Sequence, residues 1–103
     1  MNMKKGSKLY VRIDYRVGEK DFTNKDYQDH LAYVENVARE RYFIGGGFSN
    51  TDGGMILLKA ENYEEAQKIA QNDPIIVRGL YRYELFEWDL VVLSGDETKQ
   101  YVV

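Results

Sequence analysis

The order in which two hydrophobic periods follow one another constrains this chain more than any single motif. Lys8 to Arg16 alternates, with Leu9, Val11, Ile13 and Tyr15 on one face and Tyr10, Arg12 and Asp14 on the other, the period-two pattern of a half-buried strand. Thr23 followed by Asp26 opens a helix with a capping box, and Tyr27, Leu31, Val34, Ala38 and Tyr42 recur at helical spacing, which predicts a helix from Asn24 to about Tyr42. Phe43 to Phe48, a turn over Ser49 to Gly54, and Met55 to Leu58 read as a β-hairpin. Asn62 and Glu65 start a second helix that carries Ala66, Ile69 and Ala70 up to Asn72. Asp73-Pro74 stops it, Ile75 to Gly79 allows one more helical turn, and Leu80 to Leu93 is a long strand rich in Tyr, Phe, Trp and Val. The order is βαββαβ. Two helices on one face of four antiparallel strands make a ferredoxin-like α+β sandwich.

At 103 residues there is room for one domain, with a core over 8–93 and a polar tail over 94–103. The sheet face away from the helices then needs a cover. Tyr10 and Arg12 on the first strand, with either Tyr81, Tyr83 and Leu85 or Leu80, Phe86 and Trp88 on the last, present more aromatic surface than a monomer exposes, which predicts a homodimer formed through the sheet.

Composition narrows the chemistry. The chain has no Cys, which excludes thiolate catalysis and cysteine-held metals, and its one histidine, His30, rules out a multi-histidine cage within a subunit. No cofactor and no metal are therefore expected. A net charge of -3 argues against a phosphate-binding face. The βαββαβ order is shared with an RNA-recognition module, but Gly54 to Leu58 lacks the basic and aromatic pattern of such a module's central strand. No apolar run approaches the length of a membrane span, and a cytoplasmic address is the expectation.

Few residues are suited to chemistry. His30 falls at the side of the helix's apolar arc, where it is either a packed histidine satisfied by a carbonyl or hydroxyl, or a general acid or base tuned by a neighbour. Asp73 precedes Pro74 and suits a helix N-cap; one carboxylate oxygen can cap while the other faces a pocket. Both helices pack on one sheet face, so His30 and Asp73 can approach each other. Arg12 and Arg78 are candidate anion anchors, and Tyr10, Tyr15, Tyr27 and Tyr33 candidate hydroxyl donors. Gly45-Gly46-Gly47 lacks the Lys-Ser/Thr of a P-loop; a bulge or close packing accounts for it, with Gly46 leaving space beside a pocket.

Taken in order, the first strand, His30-Leu31 early in a helix, Gly45 to Phe48 leading into a hairpin, Glu65-Ala66, Asn72-Asp73-Pro74 and Gly79-Leu80-Tyr81 resemble the YCII-related (YciI-like) family over Lys8 to Leu93. The resemblance implies a dimeric α+β barrel of ferredoxin-like subunits, with a site in which the family's histidine and the aspartate of its Asp-Pro pair match His30 and Asp73. It also implies a related activity, cofactor-independent removal of chloride from a chlorinated hydroxyquinol. Tyr27 stands where family members often carry a basic residue. The expectation is a small-molecule lyase or isomerase in which His30 moves a proton and Asp73 orients it, with Arg12, Tyr27 and Gly46 on the substrate. The alternative is a non-catalytic ligand-binding or regulatory dimer.

Overall fold

A computed structural model describes residues 8–94, so all of the expected tail after Ser94 lies outside the described residues. In chain order the elements are β1 (Lys8–Arg16), α1 (Asn24–Ala38), β2 (Phe43–Gly47), β3 (Gly54–Leu58), α2 (Tyr63–Gln71), α3 (Pro74–Val77) and β4 (Tyr81–Asp89). The strands form one antiparallel sheet in the order β2-β3-β1-β4. This is the ferredoxin-like α+β arrangement.

Local chemistry starts each helix. The Thr23 hydroxyl accepts the Asp26 N–H while the Asp26 carboxylate accepts the Thr23 N–H, closing the capping box of α1. Asn62 caps α2 by accepting the Glu65 N–H at 2.8 Å. Asp73 caps α3, with Pro74 as its first residue.

Two ends differ from the sequence expectation. Helix α1 stops at Ala38 rather than near Tyr42, because the Arg39 and Glu40 N–H groups bond three residues back and the Tyr42 carbonyl already accepts the Lys59 N–H across the hairpin. Strand β4 stops at Asp89, the residue paired with Lys8, rather than at Leu93.

Val34 of α1 and Ala66 of α2 pack on Tyr10, Ile56 and Leu58 of the sheet, with Tyr33, Ile69 and Leu85 half-buried around them. The face assignment of β1 is the reverse of the expected one. Tyr10, Arg12 and Asp14 are buried on the helix side, so Tyr10 and Arg12 do not belong to the open face. Val11 and Ile13 lie on that open face, beside Met55 and Leu57 of β3 and Phe86 of β4. On β4 the register turns Tyr81, Tyr83 and Leu85 toward the helices and Phe86 and Trp88 outward, the latter 48% and 46% exposed. Ile44 and Met55 add to the exposed apolar surface. The reversal has a physical reason: the helix side of β1 holds charged groups that pair with one another, which leaves its aliphatic residues on the other face. Among the described residues no helix is long and apolar enough to cross a membrane.

Candidate functional site

His30 sits on α1, two turns after Thr23, and Asp73 ends the turn that links α2 to α3. The packing of α1 beside α3 brings His30 Nδ1 to 2.8 Å from Asp73 Oδ2 and 2.9 Å from Oδ1. Asp73 is fully buried. Its Oδ1 also accepts the Ile75 N–H at 3.1 Å, and its Oδ2 accepts Arg12 Nη2 at 2.9 Å. Arg12 Nε in turn donates to Asp14 Oδ1 at 2.8 Å. One chain of contacts therefore runs from His30 through Asp73 and Arg12 to Asp14. Because Asp73 meets N–H donors from two other groups and serves as an acceptor, its contact with His30 assigns the ring proton to Nδ1. In the neutral ring that tautomer makes Nε2 the acceptor nitrogen.

The outer end of this chain opens on a cavity of about 170 Å³ between α1 and the β2–β3 hairpin. His30 and Asp14 line it, with Tyr27 and Tyr81, and Phe22, Phe43, Ile56 and Ile75 supply much of the rest. Phe22 stands edge-on to Tyr27 and to Tyr81, with ring centroids 6.3 Å and 5.4 Å apart. Burial pushes the Asp14 carboxyl above the ordinary range; Arg12 works against that shift. Burial likewise raises the Tyr81 hydroxyl.

The remaining wall is backbone. Gly53 has φ +98°, and a Cβ there would lie 2.3 Å from the Asp14 carbonyl oxygen; a Cβ on Gly54 would lie 2.6 Å from the Gly46 carbonyl oxygen. Gly53 lets the hairpin close against β1, and Gly54 lets β3 close on β2. The 45–47 run contains no bulge, since every residue from Phe43 to Gly47 pairs in turn with Leu58 to Gly54. Gly45 fits the close-packing reading, a Cβ there lying 3.0 Å from Ile56, whereas Gly46 has nothing within 4 Å.

Of the residues singled out from the sequence, His30, Tyr27 and Gly46 line the cavity, and Asp73 lies behind His30 without reaching it. Arg12 is 2% exposed, engaged by two carboxylates, and does not line the cavity. Arg78 ties α1 to the end of α3 through Asp26 and Asp29, each at 2.7 Å. The Tyr33 hydroxyl donates to the Ile69 carbonyl, the Tyr15 hydroxyl to Glu84, and the Tyr10 ring is in the core. Asp14 was not singled out; its place two residues from Arg12 on the polar face of β1 was the available signal. Among the described residues no three His, Asp or Glu side chains are grouped to hold a metal ion.

Comparison with known proteins agrees with this fold. The model of the YCII-related domain matches residues 9–89. YjpA of Bacillus subtilis strain 168, described as uncharacterized, is 25% identical over 83 residues, covering 80% of this chain and 98% of its own. Among solved structures, the 5-chloro-2-hydroxyhydroquinone dehydrochlorinase TftG of Burkholderia phenoliruptrix AC1100, in complex with 2,5-dihydroxybenzoquinone, superposes with a TM-score of 0.53 at 22% identity, covering 77% of this chain and 93% of that one.

Proposed function

This chain belongs to the YCII-related family, and from that premise we propose that its cleft carries out cofactor-independent proton transfer on a small molecule, as a lyase or isomerase. One observation carries the reading: a fully buried Asp73 holds His30 Nδ1, while His30 itself lines an apolar cavity. His30 Nε2 is the base that takes a proton from substrate. Asp73 is a positioning residue that fixes the tautomer and ring orientation and stabilises the imidazolium once formed. Arg12 acts one step further back, holding Asp73 in place rather than binding substrate. Tyr27 and Gly46 flank the bound molecule.

The assay uses 2,5-dihydroxybenzoquinone, the molecule bound by TftG. Its ring C–H positions exchange through a keto tautomer, so proton transfer at carbon is read as loss of its proton NMR signal in D2O. The expected result is exchange faster than in buffer, falling at least ~100-fold in His30→Ala and ~10-fold or more in Asp73→Asn. Binding of the quinone without faster exchange favours the alternative, a ligand-binding or regulatory module.

The same reading includes a second copy of the chain. Ile44, Met55, Phe86 and Trp88 are exposed on one sheet face, and two such faces packed together at roughly 10 Å make a two-sheet sandwich. A cytoplasmic homodimer is the form in which the protein works.

A further inference from the structure

Asp14 is the one carboxylate of the buried cluster that the single-histidine scheme leaves without a task. It lies on the helix side of β1, its side chain is 8% exposed, and it lines the same cavity as His30. Arg12 Nε holds Oδ1 at 2.8 Å. Among the described residues no hydrogen bond engages Oδ2, and Asp14 is one of the residues that line the cleft. Asp73 differs on both counts, being fully buried with both oxygens engaged.

Charge points the same way. Asp14 and Asp73 share a single guanidinium, so the cluster is one positive charge short, and a proton entering from the cleft can reach only His30 or Asp14. Burial raises the Asp14 carboxyl, Asp73 adds to that shift, and Arg12 and His30 oppose it. The titratable or charged groups facing Asp14 are Arg12 beside it on β1, His30 from α1, Asp73 at the start of α3, and Tyr81 and Tyr83 from β4. Strand β3 offers only Gly54.

We propose that Asp14 is the second proton-transfer group of the cleft, an acid opposite the His30 base, so that removal and delivery of protons are divided between two residues. The inference rests on the proton-transfer reading of the site and names a partner for its base. For a carbonyl substrate, Nε2 takes a proton from the carbon next to the carbonyl, the C–H pair becomes a C=C bond, and the carbonyl π pair moves to oxygen. Asp14 supplies the proton of the new O–H bond. When His30 returns its proton to another carbon of the conjugated enol, the C=O bond re-forms and the hydroxyl proton goes back to Asp14. Both residues are restored, and the net change is an isomerisation needing no oxidant or reductant.

The test follows the Asp14 carboxyl by 13C NMR and the His30 ring by its Hε1 signal across roughly pH 3 to 9. Wild type, Asp14→Asn and Asp14→Glu are compared, each also assayed for carbon exchange. The expected results are a carboxyl inflection above about 4 that His30 also reports, its loss from the His30 signal in Asp14→Asn, and an exchange rate reduced by roughly 100-fold there and partly recovered in Asp14→Glu. An ordinary carboxyl inflection, or unchanged exchange in Asp14→Asn while His30→Ala abolishes it, overturns the role of Asp14 and leaves the single-histidine scheme standing. Should Asp14→Asn fail to fold, the wild-type carboxyl titration and the exchange rate of Asp14→Glu decide. Exchange no faster than in buffer for the wild type removes both readings together.

Discussion

Along the middle of β1 the two faces of the sheet invert the usual arrangement of a half-buried strand. The face of β1 covered by helices carries Arg12 and Asp14, while the open face carries Val11 and Ile13, with Met55, Phe86 and Trp88 beside them. The difference teaches that polarity alone does not say which side of a strand is inside. Charged side chains are tolerated under the helices because they form a closed set, Arg12 between two carboxylates and His30 on the second of them. The apolar side chains outside form a patch of the kind that marks a contact surface.

The largest expected effect comes from breaking the closed set. Arg12→Leu leaves two buried carboxylates facing each other, and should cost about 3–5 kcal/mol in urea unfolding. The matching change on the open face is Trp88→Glu. It should leave the urea midpoint of the monomer nearly unchanged but weaken self-association by ~2 kcal/mol or more, roughly 30-fold in Kd by sedimentation. Equal costs to folding from both variants would show that the two faces do not differ as described. Asp73→Asn comes next. Asn caps a helix as well as Asp does, so α3 survives, and the lost charge on Arg12 and His30 should cost about 1–2 kcal/mol.

The smallest effect is in pH. Asp26 is held below the ordinary carboxylate range by the Thr23 N–H and hydroxyl and by Arg78, and Asp29 by Arg78 and Lys25. Groups depressed in this way contribute stability above their unfolded value and lose it as pH falls through the folded one. Asp14 is raised, so its contribution is complete below the unfolded value, near 4, and is lost as pH rises through the folded one. Asp14→Asn should remove the decline above about pH 4, and Arg78→Ala should flatten the acid limb below it. Urea midpoints measured against pH separate the two.

Much of the fold was legible because each element announces itself locally. Thr23 with Asp26, Asn62 with Glu65, and Asp73-Pro74 mark three helix starts, and the alternation in β1 marks a strand. What local signals do not carry is which elements meet. Tyr42 fits the helical stripe of α1 but serves the hairpin, because its carbonyl bonds to Lys59, seventeen positions on. Arg12 reads as a surface anchor until Asp73, sixty-one positions later, folds back onto it. His30 and Asp73 were visible as residue types suited to a site. Asp14 was not, since its setting is made by α1, α3 and β4 together.

In the proton-transfer reading, Asp73 belongs at once to the architecture and to the chemistry. One of its oxygens begins α3 by holding the Ile75 N–H, and the same carboxylate orients the ring of His30. Inheritance sees a single codon where the molecule has two tasks. A change to Asn satisfies the first task alone, so a lineage drifting through that substitution would keep a folded, well-expressed protein whose histidine had lost its guide. On that reading, binding without conversion is one nucleotide step away, reached without passing through an unfolded ancestor.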